Sequence, residues 1–198
     1  MKLPAEYYQG EDVVAIAKDL LGKLLITSID GQFTSGVIVE TEAYNGRCDR
    51  ACHAFGRRTP RTEVLYKAGG LSYVYLCYGI HSLFNIATNV EGKADAVLIR
   101  AIEPVEGVEV MLKRRKMDVL KPQLTAGPGS LSEALGITTR LTGTPLSGST
   151  IWLEDNDKTY DSDEILIGTR VGVAYAKEDA LLPWRFRVKD NKWISKAK

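Results

Sequence analysis

Two glutamates in one apolar segment are the residues of this sequence best suited to chemistry. Glu40 and Glu42 stand two residues apart within residues 37–44, a run of β-branched and small residues that ends in Tyr44. Because a β-strand alternates its faces, both carboxylates and the tyrosine are predicted to share one face. Burial of a carboxylate without partners is unfavourable. The pattern therefore indicates either a solvated strand face or a carboxylate that acts beside an aromatic ring, as a general base or in a glycosidase-like pair.

A second segment, residues 73–79, supplies aromatic rings. Tyr73 and Tyr75 are predicted on one strand face, and Tyr78 lies at the edge of a turn. Such a strand can pack in a core with its hydroxyls hydrogen-bonded, or it can form a stacking wall for a planar ligand. An exposed tyrosine at the turn could also enter a DNA minor groove as a wedge that unstacks bases.

Metal and phosphate sites have weaker support. Cys48, Cys52 and His53 form a C-x3-C-H cluster, but the second ligand pair of a structural zinc site is absent, and so are the H-x-E and P-C-x-x-C motifs of zinc deaminases. We therefore expect no metal and no cofactor. Residues 127–130, Gly-Pro-Gly-Ser, lead into a predicted helix and could hold a phosphate through backbone N–H groups, although an ordinary turn with a helix cap is the preferred interpretation.

The elements that must position these residues are mostly strands. Helices are predicted over residues 12–22, over 104–116 with Pro104 at the start, and from a capping box at 130–133 to Gly136. Asp30-Gly31 predicts a hairpin turn between two strands. Strands are predicted at 24–29, 34–44, 73–78, 83–88, 96–100, 151–153, 165–167, 171–175 and 184–188. The expected fold is α+β: a single mixed domain over residues 1–198, dominated by a curved, mostly antiparallel sheet (roll or open-barrel-like) with flanking helices.

Composition and charge limit the function classes. The chain has 198 residues, 44% hydrophobic and 26% charged, and 26 basic against 25 acidic residues, so it is not a simple polycation. Basic residues concentrate at 47–67 and 183–198, and acidic residues at 154–164. The basic segments are either solvated surface or contacts to nucleic acid. No predicted membrane span, no apolar signal core and only three cysteines favour a reducing compartment, and we expect a cytoplasmic monomer.

Taken in order along the chain, these pieces resemble the 3-methyladenine (alkyladenine) DNA glycosylases. The likeness runs from about residue 12 to 195, and the ordered set is far more specific than any single piece. Arg47 departs from it, because proline is more usual there. The matching motifs are Glu42-Ala43-Tyr44, Gly46, Asp49, Ala51, His53, Arg58-Thr59-Pro60-Arg61, Tyr73-Val74-Tyr75, Tyr78-Gly79, Asn85, residues 98–104, Gly127-Pro128-Gly129, Arg170-Val171-Gly172-Val173 and Pro183-Trp184-Arg185-Phe186.

The resemblance implies a monofunctional enzyme that flips a damaged purine nucleotide out of duplex DNA and hydrolyses its N-glycosidic bond, leaving an abasic site. It assigns Glu42 as the base that activates water, and Arg100 as the residue that helps place that water and the adjacent phosphate. The remaining assignments concern the nucleotide: Tyr44, His53 and Tyr75 would enclose the base, Asn85 would disfavour guanine's amino group, and Tyr78 would fill the hole in the duplex.

Some alternatives stay open at this point. A non-catalytic protein that binds damaged or single-stranded nucleic acid could use the same aromatic residues for stacking, but it would need neither Glu42 nor Arg100. The preferred lesion, whether 3-methyladenine, 7-methylguanine, hypoxanthine or etheno-adenine, also stays open.

Overall fold

The computed structural model of the chain describes residues 1–197, and an eight-stranded sheet dominates it. Its main path runs in the order β3-β4-β5-β2-β1-β6, while β8 pairs with β2 and β7 with β8. Every pairing of these strands is antiparallel, and they form an open sheet. The predicted α+β class is thus confirmed. The strands are β1 (Leu24–Ile29), β2 (Gln32–Tyr44), β3 (Leu71–Cys77), β4 (His81–Thr88), β5 (Asp95–Glu106), β6 (Ile151–Glu154), β7 (Ile165–Gly168) and β8 (Arg185–Val188).

Three α-helices and several short 3-10 helices flank this sheet. The Asp12 side chain caps α1 by accepting hydrogen bonds from the N–H groups of Val14 (2.9 Å) and Ala15 (3.0 Å), an interaction that contributes about 1 kcal/mol. The α-helices are α1 (Val13–Asp19), α2 (Val108–Arg114) and α3 (Pro128–Leu135), and the 3-10 helices span Ala5–Gln9, Glu63–Tyr66, Pro122–Leu124, Thr139–Leu141, Ser162–Glu164 and Ala174–Leu181. No helix within residues 1–197 combines the length and apolarity needed to cross a membrane.

The two longest strands, β2 and β5, lie at the centre and are buried on both faces. Ile38, Ile99 and Ile102 are fully buried in the main core, which also contains residues of α1 and α3. A second core lies beneath the connection between β2 and β3, where Leu65 packs against Tyr73. That connection carries His53, so its packing on the sheet brings the histidine to the aromatic strand.

The β1–β2 hairpin forms as predicted. Ile29 pairs with Gln32, and Asp30 and Gly31 both have positive φ (53° and 71°), as a type I′ turn requires. The third helix ends at Gly136, also as predicted. It begins at Pro128, however, rather than at a capping box on Ser130, because proline suits the first turn of a helix.

Two other predicted elements are wrong. Residues 104–106 continue β5, and α2 starts only at Val108, because Pro104 lies opposite Gly36 at a register shift where a strand tolerates proline. Residues 171–175 form no strand: a bend leads into the 3-10 helix Ala174–Leu181, and the Val171 N–H bonds a side chain instead of a neighbouring strand.

Candidate active site

A cleft of about 580 Å³ opens over the β2–β5 region of the sheet. It is bounded by the connection that carries His53, by the start of α3 and by residues 171–175. Six of the seven site residues predicted from the sequence line it: Tyr44, His53, Tyr75, Tyr78, Asn85 and Arg100.

Glu42, the seventh, lies directly behind the cleft wall and is 0% exposed. Its Oε2 accepts a hydrogen bond from the Tyr44 hydroxyl (2.7 Å), and its Oε1 accepts one from the Val171 N–H (2.8 Å). Arg100 Nη1 lies 3.3 Å from the same Oε1. All three partners line the cleft, so the buried carboxylate lies beside it. The alternative of a solvated strand face is therefore wrong.

Glu40 is equally buried but fully engaged elsewhere. It accepts hydrogen bonds from Arg100 Nε (2.9 Å), Arg185 Nε (2.9 Å), and the backbone N–H (2.6 Å) and hydroxyl (2.9 Å) of Ser195. Both carboxylates reach Arg100 and so lie on one side of β2, as predicted. A glycosidase-like pair needs open space between its carboxylates, and here Arg100 bridges them.

Tyr44 is held in place at both ends. Its hydroxyl donates to Glu42, and the Arg170 guanidinium carbon lies 4.8 Å from its ring centroid. Burial raises the pKa of Tyr44 well above its ordinary value, and the Glu42 charge and hydrogen bond raise it further. The phenol therefore stays protonated and remains a donor to Glu42.

His53 and two tyrosines form an aromatic wall. The His53 ring meets Tyr75 edge to face at a centroid distance of 4.6 Å, and its Nδ1 lies 3.0 Å from the hydroxyl of Tyr73. Tyr73 is buried in the second core and Tyr75 is partly exposed, and both line the cleft. The core interpretation is thus confirmed for Tyr73, and the stacking role of the strand stays a prediction.

Arg61 helps to set the protonation state of His53 in this wall. Its Nη2 lies 3.1 Å from His53 Nδ1 and 3.5 Å from His53 Nε2, and its Nε donates to the Tyr73 hydroxyl (3.2 Å). Because a guanidinium can only donate, the closer nitrogen, Nδ1, must be an acceptor. Burial, followed by the charges of Arg61 and Arg57, lowers the pKa of His53 to about 4. The imidazole is thus neutral at pH 7.

Asn85 lies at the buried end of the cleft. Its amide nitrogen donates to the backbone oxygens of Tyr73 (3.1 Å) and Leu83 (3.2 Å), which leaves Oδ1 as its remaining polar atom. An acceptor would pair with an amino group, so any discrimination by Asn85 against guanine would have to be steric. Its role stays a prediction.

Tyr78 is the most exposed of the predicted site residues that line the cleft. It is 90% exposed at the β3–β4 turn, next to Ile80, which is 72% exposed. Its φ of 51° is unusual for a bulky residue, and Gly79 follows with 73°. The hairpin thus presents an aromatic tip to solvent, the geometry that the wedge prediction requires.

The comparison with known proteins decides the family. The model of the Methylpurine-DNA glycosylase (MPG) family matches residues 6–192. The chain belongs to this family. It is 45% identical over 186 residues to a protein of Chlamydia abortus (strain DSM 27085 / S26/3), covering 93% of this chain and 96% of the relative. It is 44% identical over 205 residues to one of Bacillus cereus (strain G9842), covering 99% and 100%. A protein of Desulfitobacterium hafniense (strain Y51) is 43% identical, covering 98% of each.

All three relatives carry the name "Putative 3-methyladenine DNA glycosylase". Membership makes the chain a DNA glycosylase, a hydrolase that acts on DNA bases in base excision repair. The recognition based on sequence motifs is thereby confirmed.

In this glycosylase, half of the basic residues at 47–67 are already paired. Arg47 bonds Asp95 (3.0 Å), Arg58 bonds Glu63 (2.7 Å), and Arg50 pairs with Glu178. Within residues 1–197, no salt bridge pairs a carboxylate with the others, which are Arg57, Arg61 and Lys67. The segment is therefore partly internal ion pairing and partly free positive charge.

The two cysteines near His53 do not converge. Cys48 is exposed, whereas Cys52 is buried with its Sγ 3.6 Å from the Ala94 carbonyl, and burial raises the pKa of its thiol to about 12. In the described part of the glycosylase, no three His, Cys, Asp or Glu side chains form a group that could hold a metal ion.

Two further parts of the chain contribute to the site. Gly127, Pro128, Gly129 and Ser130 all line the cleft, so the phosphate hypothesis for this turn stays untested rather than dismissed. Arg170 forms a buried pair with Asp49 (Nη2 to Oδ1, 2.9 Å) and bonds the Ala43 carbonyl, which fixes the neighbouring Val171 N–H against Glu42. The sequence motif at residues 170–173 is recognisable, but its spacing does not predict that Arg170 pairs with Asp49.

Proposed function

We propose that this glycosylase flips a damaged purine nucleotide from duplex DNA into the cleft and hydrolyses its N-glycosidic bond with a water activated by Glu42. The observation that carries the proposal is the Glu42 carboxylate, held by Tyr44 and Val171 beside Arg100 at the wall of an aromatic cleft.

The chemistry suits this arrangement. Each Glu42 oxygen accepts one hydrogen bond, and an ionised carboxylate has about four lone-pair sites, so acceptor capacity remains for a water. The water oxygen bonds the sugar C1′, its proton passes to Glu42, and the base departs with the electrons of the broken C–N bond. The negative carboxylate also stabilises the oxocarbenium-like transition state. Water is the only co-reactant, so the proposal includes no cofactor.

The proposed mechanism requires that water can reach the buried Glu42 carboxylate. The carboxylate is 0% exposed and is bonded to Tyr44 and Val171 beside Arg100, so a water needs a route past its partners to reach it. Entry of the nucleotide would have to open that route. If water reaches Glu42 only when a nucleotide enters the cleft, the catalytic carboxylate stays inactive until a lesion is in place. This fits the selectivity expected of base extrusion.

Recognition of the base would use the aromatic wall. A purine stacked on Tyr44 or Tyr75 gains about 0.5–2 kcal/mol per good cation–π contact when alkylation makes it positive. Neutral His53 adds no opposing charge. Tyr78, at the exposed hairpin tip, would occupy the space that the flipped nucleotide leaves in the stack.

We propose further that the enzyme is monofunctional. A lyase reaction needs an amine to form a Schiff base with the sugar, and no lysine lines the cleft in the described residues. Hydrolysis should therefore leave an intact abasic strand that breaks only after alkali treatment.

The test uses duplexes that each carry one defined lesion: 3-methyladenine, 7-methylguanine, hypoxanthine or etheno-adenine. Wild-type protein should generate alkali-labile abasic sites on at least one duplex. Glu42→Gln should bind that duplex with little change but lose about 10²–10⁴-fold in single-turnover rate, the range for a general base. Unchanged turnover by Glu42→Gln would remove Glu42 from the mechanism. Binding without base release by wild-type protein would favour the non-catalytic alternative.

A further inference from the structure

Arg100 is anchored by Glu40, a residue that does not line the cleft. Its Nε donates to Glu40 Oε1 (2.9 Å), while its Nη1 faces Glu42 Oε1 (3.3 Å). The arginine is almost fully buried, yet it lines the cleft. Burial pulls the pKa of Arg100 down, but the charges of Glu42 and Glu40 outweigh this and leave it above its ordinary value. Both carboxylates thus stabilise the charged guanidinium of Arg100.

Glu40 is in turn fixed by two distant parts of the chain. Arg185 at the start of β8 donates to its Oε1 (2.9 Å), and Ser195 donates through both its backbone N–H (2.6 Å) and its hydroxyl (2.9 Å). Arg185 Nη2 also donates to the Ser195 hydroxyl (3.2 Å). All of these side chains are buried. Two carboxylates and two guanidiniums therefore form a charge-balanced cluster, in which Ser195 satisfies the remaining acceptor sites of Glu40.

Ser195 lies three residues beyond the part of the chain that matches the family model, which ends at residue 192. Its backbone reaches Glu40 across 155 sequence positions, and the neighbouring Trp193 packs in the main core. The C-terminal segment thus packs against the Glu40–Arg100 cluster and helps to hold Glu40 in place.

We propose that Glu40 and Ser195 are positioning residues for hydrolysis: together they anchor Arg100 by its Nε, so that its terminal nitrogens point to Glu42 and the cleft. This inference rests on the proposed function. Without the anchor, the long arginine side chain is free to change rotamer or to form a closer two-bond pair with Glu42. Either change removes Arg100 from the position where it would orient water.

The inference predicts a particular pH signature. The groups that face Glu42 are Arg100 from β5, Tyr44 from its own strand, and the Val171 N–H, with Arg170 behind Tyr44. Removing the Glu40 charge changes the electrostatic surroundings of Glu42 directly and also frees Arg100 to move relative to Glu42. The plateau rate should therefore fall, and the acidic limb of the pH–rate profile should move. A simple loss of fold would lower the plateau without moving the limb.

The experiment measures single-turnover base release by Glu40→Gln and Ser195→Ala. Glu40→Gln keeps the shape of the side chain and should lose about 10–100-fold in rate, with unchanged affinity for undamaged duplex. Ser195→Ala keeps the backbone N–H and should lose about 2–10-fold. Glu103→Gln is the matched control, because Glu103 also bonds the C-terminal region, through Asn191 (3.0 Å), but does not line the cleft; its rate should equal that of wild type.

Epistasis identifies the route of the effect. If Glu40 acts only through Arg100, then adding Glu40→Gln to Arg100→Ala should cause no further loss of rate. Additive losses, or a Glu40→Gln variant with wild-type rate and limb, would overturn the inference. If Glu40→Gln does not fold, Ser195→Ala decides: a wild-type rate and an unchanged limb would refute the anchor.

A readout without activity separates this inference from the proposed function. The Arg100 Nε–H should give a slowly exchanging NMR signal that shifts in Ser195→Ala and is lost or strongly shifted in Glu40→Gln. If these changes occur but wild-type protein releases no base, the proposed function fails and the anchor stands. If wild-type protein releases base but the signal is unaffected, the anchor fails alone.

Discussion

Glu42 is 0% exposed beside the cleft and is bonded by groups from three chain segments, whereas Tyr78 lines the cleft and is 90% exposed on a backbone with positive φ. The inner wall, which we define as Glu42, Tyr44, His53 and Arg100, is held by hydrogen bonds and ion pairs. The outer surface, which we define as the Tyr78 hairpin tip and the basic residues 47–67, is less completely restrained, because salt bridges among the residues that the structure describes hold only three of its six basic side chains. The difference suggests that the chemical groups are preorganised, while the groups that would meet DNA are left accessible.

Substitutions in these two regions should therefore have different effects on stability and activity. Changes behind the inner wall should reduce stability and activity together, because they disturb a buried polar network. Changes at the outer surface should affect DNA contact with little loss of stability.

The largest effect on stability is expected at the Asp49–Arg170 pair behind Tyr44. Asp49→Asn leaves the fully buried Arg170 guanidinium without its counter-charge and should lower the free energy of unfolding by about 3–5 kcal/mol. Urea denaturation measures this directly. Glu63→Gln, which breaks the exposed pair with Arg58, is the control and should leave the urea midpoint unchanged. Equal midpoints for the two variants would show that the inner wall does not depend on this pair.

A smaller, pH-dependent effect is expected at His53. Its pKa is lowered from 6.5 to about 4, so between these values the unfolded chain binds a proton that the folded chain does not. Stability from this group is thus complete above pH 6.5 and is lost as pH falls toward 4. The loss should be about 1–3 kcal/mol after allowance for partial exposure.

The comparison that isolates His53 is the urea stability of wild type and His53→Gln at pH 7 and pH 4.5. The variant should lose less stability on acidification, while His81→Gln should lose as much as wild type. An identical decrease in all three proteins would mean that His53 is not held neutral by its surroundings.

At the outer surface, the Tyr78 turn should show the opposite relation between stability and activity. Tyr78→Gly relieves the positive φ and should raise the free energy of unfolding by about 1 kcal/mol, while base release falls because the aromatic tip is gone. Gly79→Ala is the matched control: nothing lies within 4 Å of the added Cβ, so its φ of 73° alone should lower stability by about 1 kcal/mol. A Tyr78→Gly variant with full activity would contradict the wedge role.

How far the sequence predicts the structure follows from the range of the interactions. Alternation within β2 places Glu40 and Glu42 on one side, and Asp30-Gly31 predicts its hairpin, because both are local effects. The wall behind Glu42 depends on contacts between Arg170 and Asp49, 121 positions apart, and between Ser195 and Glu40, 155 apart. No spacing in the sequence encodes such pairs. The prediction of a strand at 171–175 is wrong for the same reason, because the Val171 N–H donates to the distant Glu42 side chain rather than to a neighbouring strand.

The smallest expected effect distinguishes free from paired charge in the basic segment. Arg57 has no carboxylate salt bridge within residues 1–197, whereas its neighbour Arg58 is bonded twice by Glu63. If Arg57 neutralises one DNA phosphate, Arg57→Ala should reduce the slope of log K against log salt by about 1, and Arg58→Ala should change it much less. Titration of undamaged duplex at several salt concentrations measures both slopes. Equal slopes in the two variants would mean that ion pairing inside the protein does not decide which arginines reach DNA, and the contrast between inner wall and outer surface would then apply to the aromatic tip alone.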